Sequence, residues 1–138
     1  MTDRFLIDTS AFARWAKPAV RARVRPLHET GVLALCGPVA VEITRMARSK
    51  SEAMSIREEL RGFDWLYAPD EVWDRVLEIQ AALVGRGSWR TLSVTDLTVA
   101  AVAEMNGVAV LHYDRDYDRI AEVTGQATEW VVAPGSAD

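Results

Sequence analysis

The chain has 138 residues, 49% apolar and 26% charged, which suits one folded domain, residues 1–138, with a single core. A net charge of −4 and a pI near 5.2 argue mildly against a nucleic-acid partner, although acids gathered in one site can hide basic surface elsewhere. The single cysteine, Cys36, excludes an internal disulfide, and no apolar run approaches the ~20 residues of a membrane helix.

The first stretch organises the rest. Phe5-Leu6-Ile7 runs straight into Asp8-Thr9-Ser10, which reads as a buried strand delivering an acid to a helix start. Asp3 and Arg4 precede a run too short for a signal-peptide core, so a soluble cytoplasmic protein is expected. A short helix over Ala11 to Ala16 ends at Pro18, which starts a second helix with Val20, Val24 and Leu27 on its apolar face. Pro26 is expected to kink or shorten it. After Gly31, Val32 to Cys36 reads as a second buried strand. Gly37-Pro38 restarts a helix through Ala47, with Val39, Ile43, Met46 and Ala47 inward.

Ser51 is read as the cap of a helix over Glu52 to Arg61, and Asp64 to Ala68 as a strand. Pro69-Asp70 opens a longer helix, with Val72, Trp73, Val76, Leu77, Ile79, Gln80 and Leu83 at helical spacing, ended by Gly85 and Gly87. Ser93 caps a helix from Val94 to Met105, stopped by Asn106-Gly107. Val108 to Leu111 is a strand, Tyr117 to Val123 a helix stopped by Gly125, and Thr128 to Val132 a closing strand. The tail from Ala133 is expected to fray. Strands alternating with helices mean βαβ units: a single three-layer α/β/α domain with a mainly parallel sheet.

Ligands of such sheets sit beyond the carboxyl ends of the strands, so the acids placed there matter. Asp8 follows the first strand. It would serve as an N-cap, yet Thr9 and Ser10 already supply capping hydroxyls. Glu42 either pairs with Arg45 one turn on or, lying near Val39 and Met46 on the apolar face, needs a partner or a metal. Asp96 completes a Ser-x-x-Asp capping box with Ser93, but the helix behind it is apolar nearly all round and therefore buried, so its first turn faces the core or a cleft. Asp114, Asp116 and Asp118 follow the Val108–Leu111 strand. An EF-hand loop would need Gly and Glu where Arg119 and Gly125 stand, so that reading fails. Acids at two strand ends and in two first turns are expected at one sheet edge. Such hard oxygen ligands favour Mg²⁺ or Mn²⁺ over zinc, and metal-bound carboxylate clusters typically carry out phosphoryl chemistry.

Leu6-Ile7-Asp8-Thr9-Ser10-Ala11, Val41-Glu42-Ile43, Leu92-Ser93-Val94-Thr95-Asp96-Leu97 and His112-Tyr113-Asp114-Arg115-Asp116-Tyr117 together resemble a PIN domain, in particular the VapC-type toxins of bacterial toxin–antitoxin pairs. The resemblance implies a PIN-like parallel sheet flanked by helices and a Mg²⁺-dependent endoribonuclease, Mn²⁺ being a possible substitute. Asp8, Glu42, Asp96 and Asp114 match the family's acidic quartet as catalytic residues. Asp116 is a common additional acid, and Ser10 matches a hydroxyl often near the metal. Asp8, Asp96, Asp114 and Asp116 are the metal-ligand candidates; Glu42 would position or deprotonate the attacking water, or help bind a second ion. The resemblance also implies a structured RNA substrate such as tRNA or rRNA, a homodimer, and a small VapB-type antitoxin that wraps the toxin. Arg14, Arg45, Arg48, Arg86 and Arg90 are candidates for the RNA track, some of them for the antitoxin.

Three rivals stand beside this reading. A receiver-type domain would need a phosphoryl-contacting lysine after a late strand, where neither Lys17 nor Lys50 lies. A haloacid-dehalogenase-type phosphatase would want Asp-x-Asp after the first strand, where Asp8-Thr9-Ser10 stands. A non-catalytic acidic metal-binding module would keep the fold without turnover. The tryptophans are read as core or interface, and His28 and His112 as structural.

Overall fold

A computed structural model describes residues 4–138; Asp3, read above as part of the charged N-terminal flank, lies outside them. Five strands carry the core: β1 (Phe5–Ile7), β2 (Leu33–Cys36), β3 (Asp64–Leu66), β4 (Ala109–His112) and β5 (Thr128–Trp130). They form one all-parallel sheet in the order β3-β2-β1-β4-β5. β1 and β2 are buried at every position, as a parallel sheet covered on both faces requires. The chain moves outward from β1 through β2 to β3, then returns to place β4 on β1's other side. This reversal creates a switch point between β1 and β4, the crevice position of doubly wound sheets.

Among the described residues seven helices connect the strands: α1 (Thr9–Phe12), α2 (Pro18–Glu29), α3 (Gly37–Arg45), α4 (Lys50–Leu60), α5 (Val72–Gly85), α6 (Val94–Met105) and α7 (Asp116–Thr124). The apolar α6 is enclosed from Leu97 to Ala103 and packs on α3, α5 and α7 as well as on β1 and β4. No helix among the described residues is long and apolar enough to cross a membrane.

Several local expectations change. The first helix begins at Thr9, because Asp8 itself caps it, and closes at Phe12. Pro26 does not cut α2 short: the helix runs on to Glu29, Pro26 sits one turn from the end, costs one hydrogen bond, and its own carbonyl accepts from Thr30. Met46 is 53% exposed rather than inward, since α3 ends at Arg45 and the chain turns away. The cap of α4 is Ser49, not Ser51; its hydroxyl accepts from the Glu52 amide at 3.0 Å. Trp73 and Leu77 fall outside the buried stripe of α5, which is Val72, Val76, Ile79 and Leu83. The tail is docked rather than frayed: Ala137 is buried, its amide donates to the Tyr113 hydroxyl, and its carbonyl accepts from Arg14.

Candidate metal centre

The carboxyl ends of β1 and β4 deliver the acids. Asp8 leaves β1 in extended conformation and caps α1, accepting from the Ser10 amide at 3.0 Å. The Ser10 hydroxyl donates to the same oxygen, Asp8 Oδ2, at 2.6 Å, and itself accepts from the Tyr113 amide at 2.9 Å. This last bond ties α1 to the loop after β4 at the switch point. Asp8 thus keeps its cap role and lies on the floor of the crevice, 3% exposed.

Asp114 ends the β4 loop, and its Oδ1 accepts from the Asp116 amide at 2.9 Å, a turn that opens α7. Asp116 Oδ1 accepts from Arg119 at 3.0 Å. Asp96 stands in the first turn of α6, where Ser93 accepts from its amide at 3.1 Å. Asp96, Asp114 and Asp116 each present an oxygen within 4.8 Å of the others, a spacing one cation could bridge.

The electrostatics show why an ion suits this cluster. Burial, then the charges of Asp8 and Asp114, push the Asp96 carboxyl up to about 7. Burial and Asp114 also raise Asp116, against the pull of Arg119. Carboxylates this close repel one another, and a divalent cation removes that penalty. The donor set is all oxygen, which fits Mg²⁺ or Mn²⁺.

The other two quartet members are held by neighbouring hydroxyls. Asp8 reaches the triad through Tyr117, whose buried hydroxyl donates to Asp8 Oδ1 at 2.7 Å and lies 3.5 Å from Asp96 Oδ1. Glu42, half-buried on α3, accepts from the Thr9 hydroxyl instead of pairing with Arg45. Asp8 and Glu42 together help raise the buried Cys36 thiol to about 11, behind the larger effect of burial, so that thiol is no nucleophile.

Sequence reasoning missed the partners that hold these acids. Tyr117 carried one local signal, since a buried tyrosine hydroxyl needs a partner. His112 is fully buried; its Nδ1 accepts from the Asp114 amide at 3.1 Å, which places the ring proton on Nε2. Burial lowers its pKa and so favours the neutral ring.

The arginine candidates divide. Arg14 is committed inside the fold, donating to the Ser10 and Ala137 carbonyls and lying over the Tyr113 ring at 4.4 Å. Arg86 pairs with Glu122, and Arg90 lies over Trp89. Arg45 lines an open cavity of about 440 Å³ with Arg57, Arg61 and Trp65. A larger cavity, about 640 Å³, lies at the opposite edge of the sheet, around Phe5, Val108 and Thr128, and none of Asp8, Glu42, Asp96, Asp114 and Asp116 lines it.

Comparison with known proteins places this geometry. The PIN domain family model matches residues 5–123. The chain is 46% identical to Ribonuclease VapC21 of Mycobacterium tuberculosis, over 99% of this chain and 100% of that protein. It is 39% identical to Ribonuclease VapC51 of the same organism, over the full length of both. In fold it is similar to the DNA-bound VapBC structure from Salmonella typhimurium (TM-score 0.74, 17% identity, 95% of this chain and 100% of that one). The same holds for VapBC-5 from Mycobacterium tuberculosis (TM-score 0.64, 19% identity, 96% and 100%). With a family model over most of its length and full-length relatives at this identity, the chain belongs to the PIN-domain family, among the VapC ribonucleases.

Proposed function

We propose that this protein is the toxin of a toxin–antitoxin pair and cuts structured RNA, tRNA or rRNA, by Mg²⁺-dependent hydrolysis of a phosphodiester. The observation that carries this reading is the convergence of Asp96, Asp114 and Asp116 within 4.8 Å, with Asp8 linked to Asp96 through the Tyr117 hydroxyl at the sheet's switch point.

Asp96, Asp114 and Asp116 would hold the cation, with Asp8 completing the negative floor behind them. When bound, the ion lowers the pKa of water and offsets charge on the phosphate. Glu42 is the residue to take a proton from the attacking water, because its second carboxylate oxygen is not engaged by Thr9. The Ser10 hydroxyl and amide keep Asp8 in place while charge at the phosphate changes. Exposed arginines such as Arg45 and Arg48 supply salt-sensitive attraction for the RNA backbone. A VapB-type antitoxin partner and a homodimer belong to the same proposal. The fold shared with VapBC complexes supports the antitoxin partner.

The test is mapping of new RNA 5′ ends in a host lacking the antitoxin, during expression of wild type and of Asp8→Asn. Discrete ends with wild type alone are expected and would name the substrate. Absence of ends from both, with soluble protein present, would favour the non-catalytic metal-binding module.

A further inference from the structure

We propose that the Tyr117 hydroxyl is a positioning group of the acidic site, fixing the Asp8 carboxylate beside Asp96 and so holding the negative floor behind the acids that receive the cation. The inference rests on the metal-nuclease reading above and assigns a residue outside the acidic quartet.

Tyr117 is fully buried in the first turn of α7, directly after Asp116. Its ring lies against His112 with centroids 4.9 Å apart, and His112 is anchored by the Asp114 amide. The ring is therefore held by the same short segment, from His112 to Tyr117, that carries two of the triad acids. From this fixed base the hydroxyl has one proton to give. At 2.7 Å, Asp8 Oδ1 takes it, while Asp96 Oδ1 is held off at 3.5 Å.

Asp8 is consequently gripped on both oxygens. Ser10 supplies two donors to Oδ2, and Tyr117 supplies the one to Oδ1. With both grips the carboxylate cannot rotate about its last bond without breaking a hydrogen bond at 3% exposure. The burial of an aromatic ring does not explain this arrangement. Phenylalanine fills the same space and would leave Oδ1 without its donor and the Asp8–Asp96 separation unset. Partners that orient ligands in this way are commonly worth 10–100-fold in metal affinity or activity, roughly the effect expected here.

The experiment uses full-length wild type, Tyr117→Phe and Asp96→Asn. Mn²⁺ binding is read from the free-ion EPR signal, and RNA cleavage is resolved into kcat and KM across a Mg²⁺ titration. Tyr117→Phe is expected to weaken Mn²⁺ binding and lower kcat, each by about tenfold or more, with KM for RNA unchanged. Reduced thermal stability with wild-type Mn²⁺ affinity and kcat would overturn the proposal and leave Tyr117 as a packing residue. Asp96→Asn reports on the underlying reading. If it binds Mn²⁺ as wild type does, the metal reading falls and takes the Tyr117 role with it. If Asp96→Asn no longer binds Mn²⁺ while Tyr117→Phe behaves as wild type, only the Tyr117 role falls. Should Tyr117→Phe fail to fold, 3-fluorotyrosine in place of Tyr117 keeps the hydroxyl. Its ¹⁹F resonance is expected to move on addition of Mg²⁺, and an unmoved resonance at saturating ion would overturn the proposal.

Discussion

Thr9 Oγ1 donates to Glu42 Oε1 across 2.7 Å, joining the residue after Asp8 to a helix 33 positions away. The bond leaves one oxygen of Glu42 engaged and aims the other. Removing the hydroxyl while keeping the shape, as in Thr9→Val, is expected to lower kcat by about tenfold, within the range of orienting partners, and to leave KM for RNA unchanged. Thr9→Ser should restore most of the rate, and Glu42→Gln should abolish turnover. The check is single-turnover cleavage of a defined RNA by the three variants. A Thr9→Val enzyme as fast as wild type, beside an inactive Glu42→Gln, would show that Glu42 needs no orienting partner.

The raised Asp96 gives the metal-free protein a pH signature. Its ordinary value is 3.8 and its folded value about 7, so between these the native state binds more protons than the unfolded chain. Stability contributed by this group is therefore present in acid and lost as pH rises through that window. His112 acts with the opposite sign: it stays neutral below its ordinary 6.5 and costs stability in acid. The difference between wild type and Asp96→Asn isolates the first effect. In EDTA, Asp96→Asn is expected to melt higher than wild type at pH 8, by a few degrees for about 1 kcal/mol, with the gap closing at pH 4. Added Mg²⁺ should raise the wild-type melting temperature more at pH 8 than at pH 5, because the ion needs ionised ligands. A gap that widens towards acid would contradict the assignment.

The backbone of this arrangement was readable because its signals are local. Leu33-Ala34-Leu35-Cys36 is an unbroken apolar run and is buried throughout. Ser93 to Met105 carries its cap, its apolar body and its stop in one stretch. Asp8 and Asp114 were readable because each follows such a run. The connections between acids were not. Tyr117 meets Asp8 across 109 positions and Thr9 meets Glu42 across 33, and no periodicity encodes a hydrogen bond over that distance. The docked tail escaped for the same reason. Small polar residues look frayed until Tyr113, Arg14 and Lys17 supply partners from elsewhere in the chain.

Arginines chosen by clustering alone should now separate by experiment. Arg14 bonds two carbonyls and covers the Tyr113 ring, so Arg14→Ala is expected to cost about 1–3 kcal/mol of stability by removing charged hydrogen bonds and packing. Arg45→Ala and Arg48→Ala, both at exposed positions, should leave the melting temperature within a degree or so and weaken RNA binding instead. Every arginine–phosphate pair removed should reduce the slope of log K against log salt by roughly one. Binding is measured on the Asp8→Asn background so that the RNA survives. An unchanged slope for both variants would move these arginines out of the RNA track.

Helix α5 offers the sharpest test of the core. Ile79 is 1% exposed and Leu77 is 62% exposed, although they lie two residues apart and are equally apolar. The reason is angular. Val72, Val76, Ile79 and Leu83 recur at helical spacing towards α6, while Leu77 is turned about 200° from Ile79, two steps of roughly 100° each. Ile79→Ala is expected to destabilise by about 2–5 kcal/mol, because it removes buried methyl groups from a core that closes only partly. Leu77→Ala should fall within about 0.5 kcal/mol of wild type in the monomer. Urea denaturation at low protein concentration, where any association is absent, measures both. Equal destabilisation at the two positions would contradict this angular placement of Leu77.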